Sequence, residues 1–179
     1  MKYAALFLAV CFVGVVSGLA QDKPVPAQAG MYIRSASGYT RIELAYSSGF
    51  KTSGLGKSML SYGVAKIKGK WLYKGPSAVA QLDGPRPTFV LVSLADVSAQ
   101  VIALVKFDVK KDHREAQYCE ASAWSGVKIE DRDTVPVSVT RMPDSNNLII
   151  IPAADLPAGE YLLIADPAKG YQGYDFGVK

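Results

Sequence analysis

Residues 156–178 have the sequence LPAGEYLLIADPAKGYQGYDFGV, and this stretch decides the fold. Its two apolar segments, 161–165 and 174–178, are separated by turn-forming residues, as the strands of a β-hairpin are. In the second segment Tyr174, Phe176 and Val178 alternate with other residues at the period of two that is typical of a strand with one buried face. The stretch therefore predicts a closing hairpin with these three side chains directed into the core.

The same pattern continues upstream. Residues 31–34 and 39–46 flank a Gly-containing turn and predict another hairpin. Further strands are predicted at 65–74, 78–82, 89–92, 101–110, 117–123, 135–140 and 148–151, with 117–123 pairing back to 101–110. Pro136 has no N–H for a strand ladder, so its strand is predicted at a sheet edge.

Helix signals are weak throughout. No segment shows a sustained apolar period of 3.6 with caps, and residues 47–58, rich in Ser and Gly, are predicted to be a loop. Many short strands with frequent turns indicate an all-β fold, either a single antiparallel β-sandwich or an open barrel.

The segment LPAGEY at 156–161 resembles the corner before a late strand in immunoglobulin-like sandwiches. The resemblance implies structural roles for two residues: Leu156 fills the core, and the Tyr161 hydroxyl bonds back to the backbone across the corner. Together with KKDHRE at 110–115, the C-terminal half resembles uncharacterised secreted bacterial all-β proteins that end in similar Gly-Glu-Tyr and Phe-Gly-Val patterns. That group has no assigned activity, so the resemblance implies export and an all-β fold but no functional residue.

The N-terminus has the three parts of a secretory signal peptide. Lys2 is followed by an uncharged apolar run at 3–16 and by small residues up to Ala20. This layout predicts cleavage after Ala20 and export to the periplasm or beyond, with no transmembrane segment left in the mature chain. We expect a signal peptide at 1–20, a flexible lead-in at 21–29 and a single domain at 30–179.

Few residues of the chain are of the types that catalysis or metal binding requires. After signal cleavage Cys119 is the one remaining cysteine, and His113 is the one histidine of the chain. Metal sites and activated nucleophiles need more partners than these two residues offer, so no metal, cofactor or catalytic set is predicted. GLGKS at 54–58 lacks the upstream Gly of a phosphate-binding loop and a helix beginning at the lysine. EDRD at 130–133 lacks the Gly of a calcium loop and is predicted to be an acidic surface loop.

The most suggestive feature is a basic segment with no Asp or Glu between Glu43 and Asp83. Its lysines are Lys51, Lys57, Lys66, Lys68, Lys70 and Lys74. On an alternating strand Lys66, Lys68, Lys70 and Lys74 share one face, with Trp71 nearby, and could hold an anionic polymer or lipid headgroups. The alternative is a solvated face whose lysines block aggregation at an edge.

The sequence favours a non-catalytic exported protein that acts by binding or assembly, with an envelope protein or an anionic surface polymer as its partner. Nucleic acid is not expected as a partner for an exported chain. Two alternatives stay open. One is a secreted hydrolase whose carboxylates converge from distant strands. The other is a periplasmic chaperone-like module with an exposed apolar groove or strand edge.

Overall fold

The computed structural model describes residues 24–60, 62, 67–98, 102–122, 126–129, 134–165 and 171–179. The predicted signal peptide, Lys66 and the acidic segment 130–133 lie outside these residues, as does the side chain of Cys119. Among the described residues, no helix has the length and apolar character needed to cross a membrane.

The described elements are mostly strands of two to ten residues. They are β1 (Gly30–Ser35), β2 (Gly38–Ile42), β3 (Leu44–Tyr46), β4 (Gly49–Ser53), α1 (Leu55–Leu60), β5 (Ile67–Lys74), β6 (Gln81–Leu82), β7 (Thr88–Val92), β8 (Ala103–Lys106), β9 (Asp108–Val109), β10 (His113–Ser122), β11 (Gly126–Ile129), β12 (Thr134–Val135), β13 (Val137–Arg141), β14 (Leu148–Pro152), β15 (Gly159–Ile164) and β16 (Gln172–Val178).

Sheet A has the strand order β13-β14-β7-β1-β2. Its centre is β7, which the sequence predicts because 89–92 is apolar on both faces; all four of these residues are buried. The hairpin of β1 and β2 follows the predicted pairing and turns between Ser35 and Gly38. Gly38 adopts φ 126°, a conformation that favours glycine.

Sheet B has the order β12-β8-β15-β16-β3, with β6 pairing in parallel to β16. It is covered on both faces. Tyr161 and Leu163 belong to a core cluster with residues of sheet A, whereas Leu162 and Ile164 belong to a second cluster with residues of sheet C. Successive side chains of a strand point to opposite faces, so the uninterrupted apolar run in β15 is what a middle layer requires.

Sheet C has the order β11-β10-β5-β4, and β9 also pairs with β10. Here the structure corrects two predictions. The main partner of β10 is β5 rather than the strand at 101–110, because that strand leaves sheet B at Phe107 and only the two residues of β9, Asp108 and Val109, pair with β10. Residues 47–58 are not all loop, since they contain β4 and most of α1.

Sheets A and B are joined by strands that bend from one sheet into the other. The chain passes from β2 in sheet A to β3 in sheet B at Glu43, and from β12 in sheet B to β13 in sheet A at Pro136. Pro136 lies at a sheet edge, as predicted, because β12 and β13 are the outermost strands of their sheets. The all-β prediction is confirmed: the sheets are antiparallel and open, as in a β-sandwich rather than a closed barrel.

The corner at 156–161 closes the core between sheets A and B. Leu156 is buried in that core, and the Tyr161 hydroxyl donates a hydrogen bond to the Pro157 carbonyl oxygen at 2.6 Å. Gly159 adopts φ 152°, and a Cβ there would lie 3.0 Å from Cε of Lys106, so the turn favours glycine at this position.

The lead-in predicted at 21–29 is described from Pro24 onward. Val25 packs against the outer face of sheet A, where Tyr32 and Val90 are buried. The Gln28 carbonyl oxygen accepts a hydrogen bond from the Tyr32 hydroxyl at 2.9 Å. This part of the lead-in is therefore in contact with the domain.

Candidate functional site

The lysines of β5 lie on the outer face of sheet C. Residues alternate along the strand, so Lys68, Lys70 and Lys74 share this face. Trp71 lies on the opposite face, where its ring centroid is 4.6 Å from that of Phe50 on β4. The structure therefore separates Trp71 from the lysine row with which the sequence grouped it.

The lysine row is neutralised in part by acidic residues from neighbouring strands. Glu115 on β10 accepts a hydrogen bond from Lys70 Nζ at 2.7 Å, and Lys51 Nζ lies 3.5 Å from its other oxygen. Lys70 Nζ is also 3.7 Å from Asp108 on β9. The outer face of sheet C is thus a network of paired charges rather than an open row of cations.

Glu115 is the centre of this network, with a side chain only 5% exposed. Burial by itself raises its pKa, but hydrogen bonds from Lys70 and His113 and the nearby charges of Lys70 and Lys51 outweigh burial and lower the pKa to about 2. Glu115 is therefore ionised over the whole physiological pH range, and its negative charge is balanced by Lys70, Lys51 and His113.

His113 is bound by carboxylates on both sides of its ring. Nδ1 lies 2.6 Å from Asp112 Oδ1, and Nε2 lies 3.3 Å from Glu115 Oε1. Hydrogen bonds to Asp112 and Glu115 raise the pKa of His113. Because both ring nitrogens contact carboxylates, this histidine is not arranged as the base of a nucleophile.

Three large apolar side chains are exposed near the end of sheet C that carries Lys68. At the end of α1, Met59 is 80% exposed and Leu60 is 86% exposed, and Tyr62 just beyond is 95% exposed. We name these three residues the apolar tip. Lys57 is exposed on the same short helix. The pairing of Ser53 with Lys68 places Lys68 at the end of sheet C from which α1 emerges, and Lys74 at the far end.

A buried ion network connects sheets B and C. Arg114 on β10 is almost fully buried, and its guanidinium lies 2.8 Å from Asp175 Oδ2 on β16 and 3.5 Å from Glu160 Oε2 on β15. Glu160 also accepts hydrogen bonds from the Ala78 N–H at 2.6 Å and from Gln81 Nε2 at 3.1 Å. These contacts satisfy charges that would otherwise be costly to bury.

This network forms one wall of a cleft of about 690 Å³. The cleft lies between the β2–β3 segment, the end of β5 and the centre of β16, and Tyr73, Arg114 and Asp175 line its inner part. Its carboxylates are Glu43, 3.7 Å from Arg41 Nε, and Asp175. Both are in ion pairs, which favours a structural or binding role over the proton transfer that a hydrolase needs.

Sequence reasoning missed the acidic partners of Lys70 and the apolar tip. The signal for the tip was present in MLSY at 59–62, which begins two residues after Lys57 and includes the end of α1. Among the described residues, no group of three His, Cys, Asp or Glu side chains is placed to hold a metal ion.

Comparisons with protein-family models, with curated proteins and with solved structures give no match for this chain. The resemblance of the C-terminal half to secreted bacterial proteins therefore stays a prediction. Function has to be argued from the geometry alone.

Proposed function

We propose that this is an exported, non-catalytic binding protein that docks on an anionic lipid surface through the apolar tip and its adjacent lysines. The observation that carries the proposal is the exposure of Met59, Leu60 and Tyr62, between 80% and 95%, in a segment with no acidic residue between Glu43 and Asp83. Clustered exposure of large apolar side chains is unusual on a soluble surface and marks an interaction site.

The chemistry of the tip fits a membrane interface. Large apolar side chains beside lysines are the combination that inserts between lipid headgroups while the cations meet anionic lipids. Each apolar side chain contributes roughly 1.5 kcal/mol when it is buried. Each lysine near an anionic surface adds about 1 kcal/mol. These apolar and electrostatic contributions to the binding free energy together predict reversible, salt-sensitive docking.

The lysines of the predicted basic face contribute unequally to this proposal. Lys57 is on the helix that carries the tip, and Lys68 is at the same end of sheet C. Lys70 forms an ion pair with Glu115, and Lys74 lies at the other end of β5. We therefore assign the electrostatic part of docking mainly to Lys57.

The experiment is vesicle cosedimentation of the mature protein with phosphatidylcholine alone and with phosphatidylcholine containing phosphatidylglycerol. We expect several-fold tighter binding to the anionic vesicles, because a lysine near an anionic surface adds about 1 kcal/mol. Leu60→Ser should weaken binding about tenfold, because it removes one inserted side chain. Lys57→Glu should weaken binding to anionic vesicles and reduce its salt dependence.

Matched controls are available on other surfaces. Leu94 is 85% exposed away from the tip, so Leu94→Ser removes an equally exposed leucine. Lys111 is exposed on the turn before β10, so Lys111→Glu makes the same charge change as Lys57→Glu. Equal binding by Leu60→Ser and Leu94→Ser would contradict the proposal, as would binding to an envelope protein with no affinity for vesicles.

A further inference from the structure

Met59 differs from the other methionines of the domain in its exposure to solvent. Apart from Met1, the chain contains three methionines, Met31, Met59 and Met142. Met31 is fully buried in the core between sheets A and B, and Met142 packs against the outer face of sheet A. Met59 is 80% exposed at the end of α1. A small oxidant dissolved in water therefore reaches the Met59 thioether far more readily than the other two.

Met59 is also part of the surface that we propose to enter the lipid. It directly precedes Leu60, and its carbonyl oxygen accepts a hydrogen bond from the Tyr62 N–H at 3.3 Å. Met59 and Tyr62 are thus held in one turn of the chain. Because the apolar tip has only three large side chains, a change in the polarity of one of them alters a large share of its apolar surface.

A peroxide changes the polarity of methionine by a two-electron reaction. The sulfur donates an electron pair to one oxygen of hydrogen peroxide, an S–O bond forms, and the O–O bond breaks. The sulfur is oxidised to the sulfoxide, and the second peroxide oxygen leaves as water. The product carries a polar S=O group in place of a flexible apolar thioether. Burying such a group in hydrocarbon costs free energy, because it loses its hydrogen bonds to water.

Oxidation of Met59 leaves the charges of the surface unchanged. Lys57, two residues earlier on α1, keeps its positive charge, and the sulfoxide is neutral. The apolar part of lipid docking is therefore lost while the electrostatic part remains. This separates the effect of oxidation from that of Lys57→Glu, which acts on the electrostatic part.

We propose that Met59 is a modification site at which a peroxide releases the protein from the lipid surface. The inference rests on the proposed function, since it assigns a regulation to the same apolar tip. Oxidation of Met59 to the sulfoxide weakens docking. A reductase that oxidises a dithiol to a disulfide removes the oxygen as water and restores both the thioether and docking.

The test begins without lipid. The full mature protein is treated with hydrogen peroxide, and the oxygen gained at each methionine is followed by peptide mass spectrometry. We expect Met59 to react at least about tenfold faster than the buried Met31, and several-fold faster than Met142, because oxidation requires access to the sulfur. Protein in which Met59 alone is oxidised then enters cosedimentation with the anionic vesicles. Its binding should be about tenfold weaker, as for Leu60→Ser, with an unchanged dependence on salt.

Met59→Leu is the matched control, because leucine keeps a large apolar side chain and has no sulfur. This variant should bind vesicles like the unmodified protein, and it should keep its binding after peroxide treatment although Cys119, Met31 and Met142 are still present. The oxidised unmodified protein should recover its binding after incubation with dithiothreitol and the two methionine sulfoxide reductases, one for each epimer.

Four results would overturn the proposal. They are faster oxidation of Met31 or Met142 than of Met59, unchanged binding after oxidation of Met59, an equal loss of binding in peroxide-treated Met59→Leu, and a loss that the reductases do not reverse. Untreated protein that binds neither kind of vesicle would overturn the proposed function and the regulation with it. A loss of selectivity in the lipid-free reaction would overturn the regulation alone, so the two failures are distinguishable.

Discussion

Replacing Glu115 by glutamine tests whether the charge network on sheet C stabilises the fold. Glu115 is nearly buried and contacts Lys70, Lys51 and His113. Glu115→Gln preserves the size of the side chain but removes its negative charge. Lys70, which is 21% exposed, then loses its closest counter-ion. We expect a less stable protein at neutral pH.

The size of the effect follows from the lowered pKa. The pKa of Glu115 falls from 4.5 to about 2 in the folded protein. A depressed carboxyl pKa gives stability that is fully present above pH 4.5 and is lost as the pH falls toward 2. At 1.36 kcal/mol per pKa unit, the contribution at neutral pH is about 3 kcal/mol.

The assay is urea unfolding of the unmodified protein and of Glu115→Gln, followed by tryptophan fluorescence, at a series of pH values from 7 to 2. The difference in unfolding free energy should be about 3 kcal/mol at pH 7 and should shrink as the pH falls below 4.5. Asp112→Asn is the control, because Asp112 is highly exposed and contacts the same histidine. Its effect should be small at every pH.

Two results would refute this reasoning. Equal stability of both proteins at pH 7 would mean that the ion pairs contribute no net stability. A constant difference between pH 7 and pH 2 would mean that glutamine acts through packing rather than through the lost charge.

Three further substitutions are checked by chemical or thermal unfolding. Tyr161→Phe should cost about 1 kcal/mol, because the hydrogen bond to Pro157 is lost; an unchanged midpoint would show that the bond contributes nothing. Gly177→Ala should cost about 1–3 kcal/mol, because its Cβ would clash with the side-chain amide of Gln81; alanine tolerated without loss would mean that Gln81 moves freely. Arg114→Met should cost about 3 kcal/mol or more, because two buried carboxylates lose their cation; a smaller loss would mean that water reaches them.

The sequence predicted the features that depend on neighbouring residues. The alternation in 174–178 indicates which side chains of β16 face the core, and Tyr174, Phe176 and Val178 all contact it. Pro136 indicates an edge because a missing N–H is a local property. The class of fold follows from such local patterns when they are repeated along the chain.

The features that depend on strand register were beyond prediction. Glu115 is separated from Lys70 by 45 residues, and a bulge between Gln117 and Cys119 shifts the pairing of their strands. The sequence thus predicted an open row of lysines where the structure has ion pairs.

The burial of sheet B between two other layers also constrains how the chain folds. The middle of this sheet is β15 and β16, and β16 pairs Gln172 with Tyr46, a partner far away in the sequence. While the chain is being made, the middle layer between sheets A and C stays incomplete until β15 and β16 emerge. We therefore expect slow folding, dominated by long-range contacts, and an unfolded chain throughout most of synthesis.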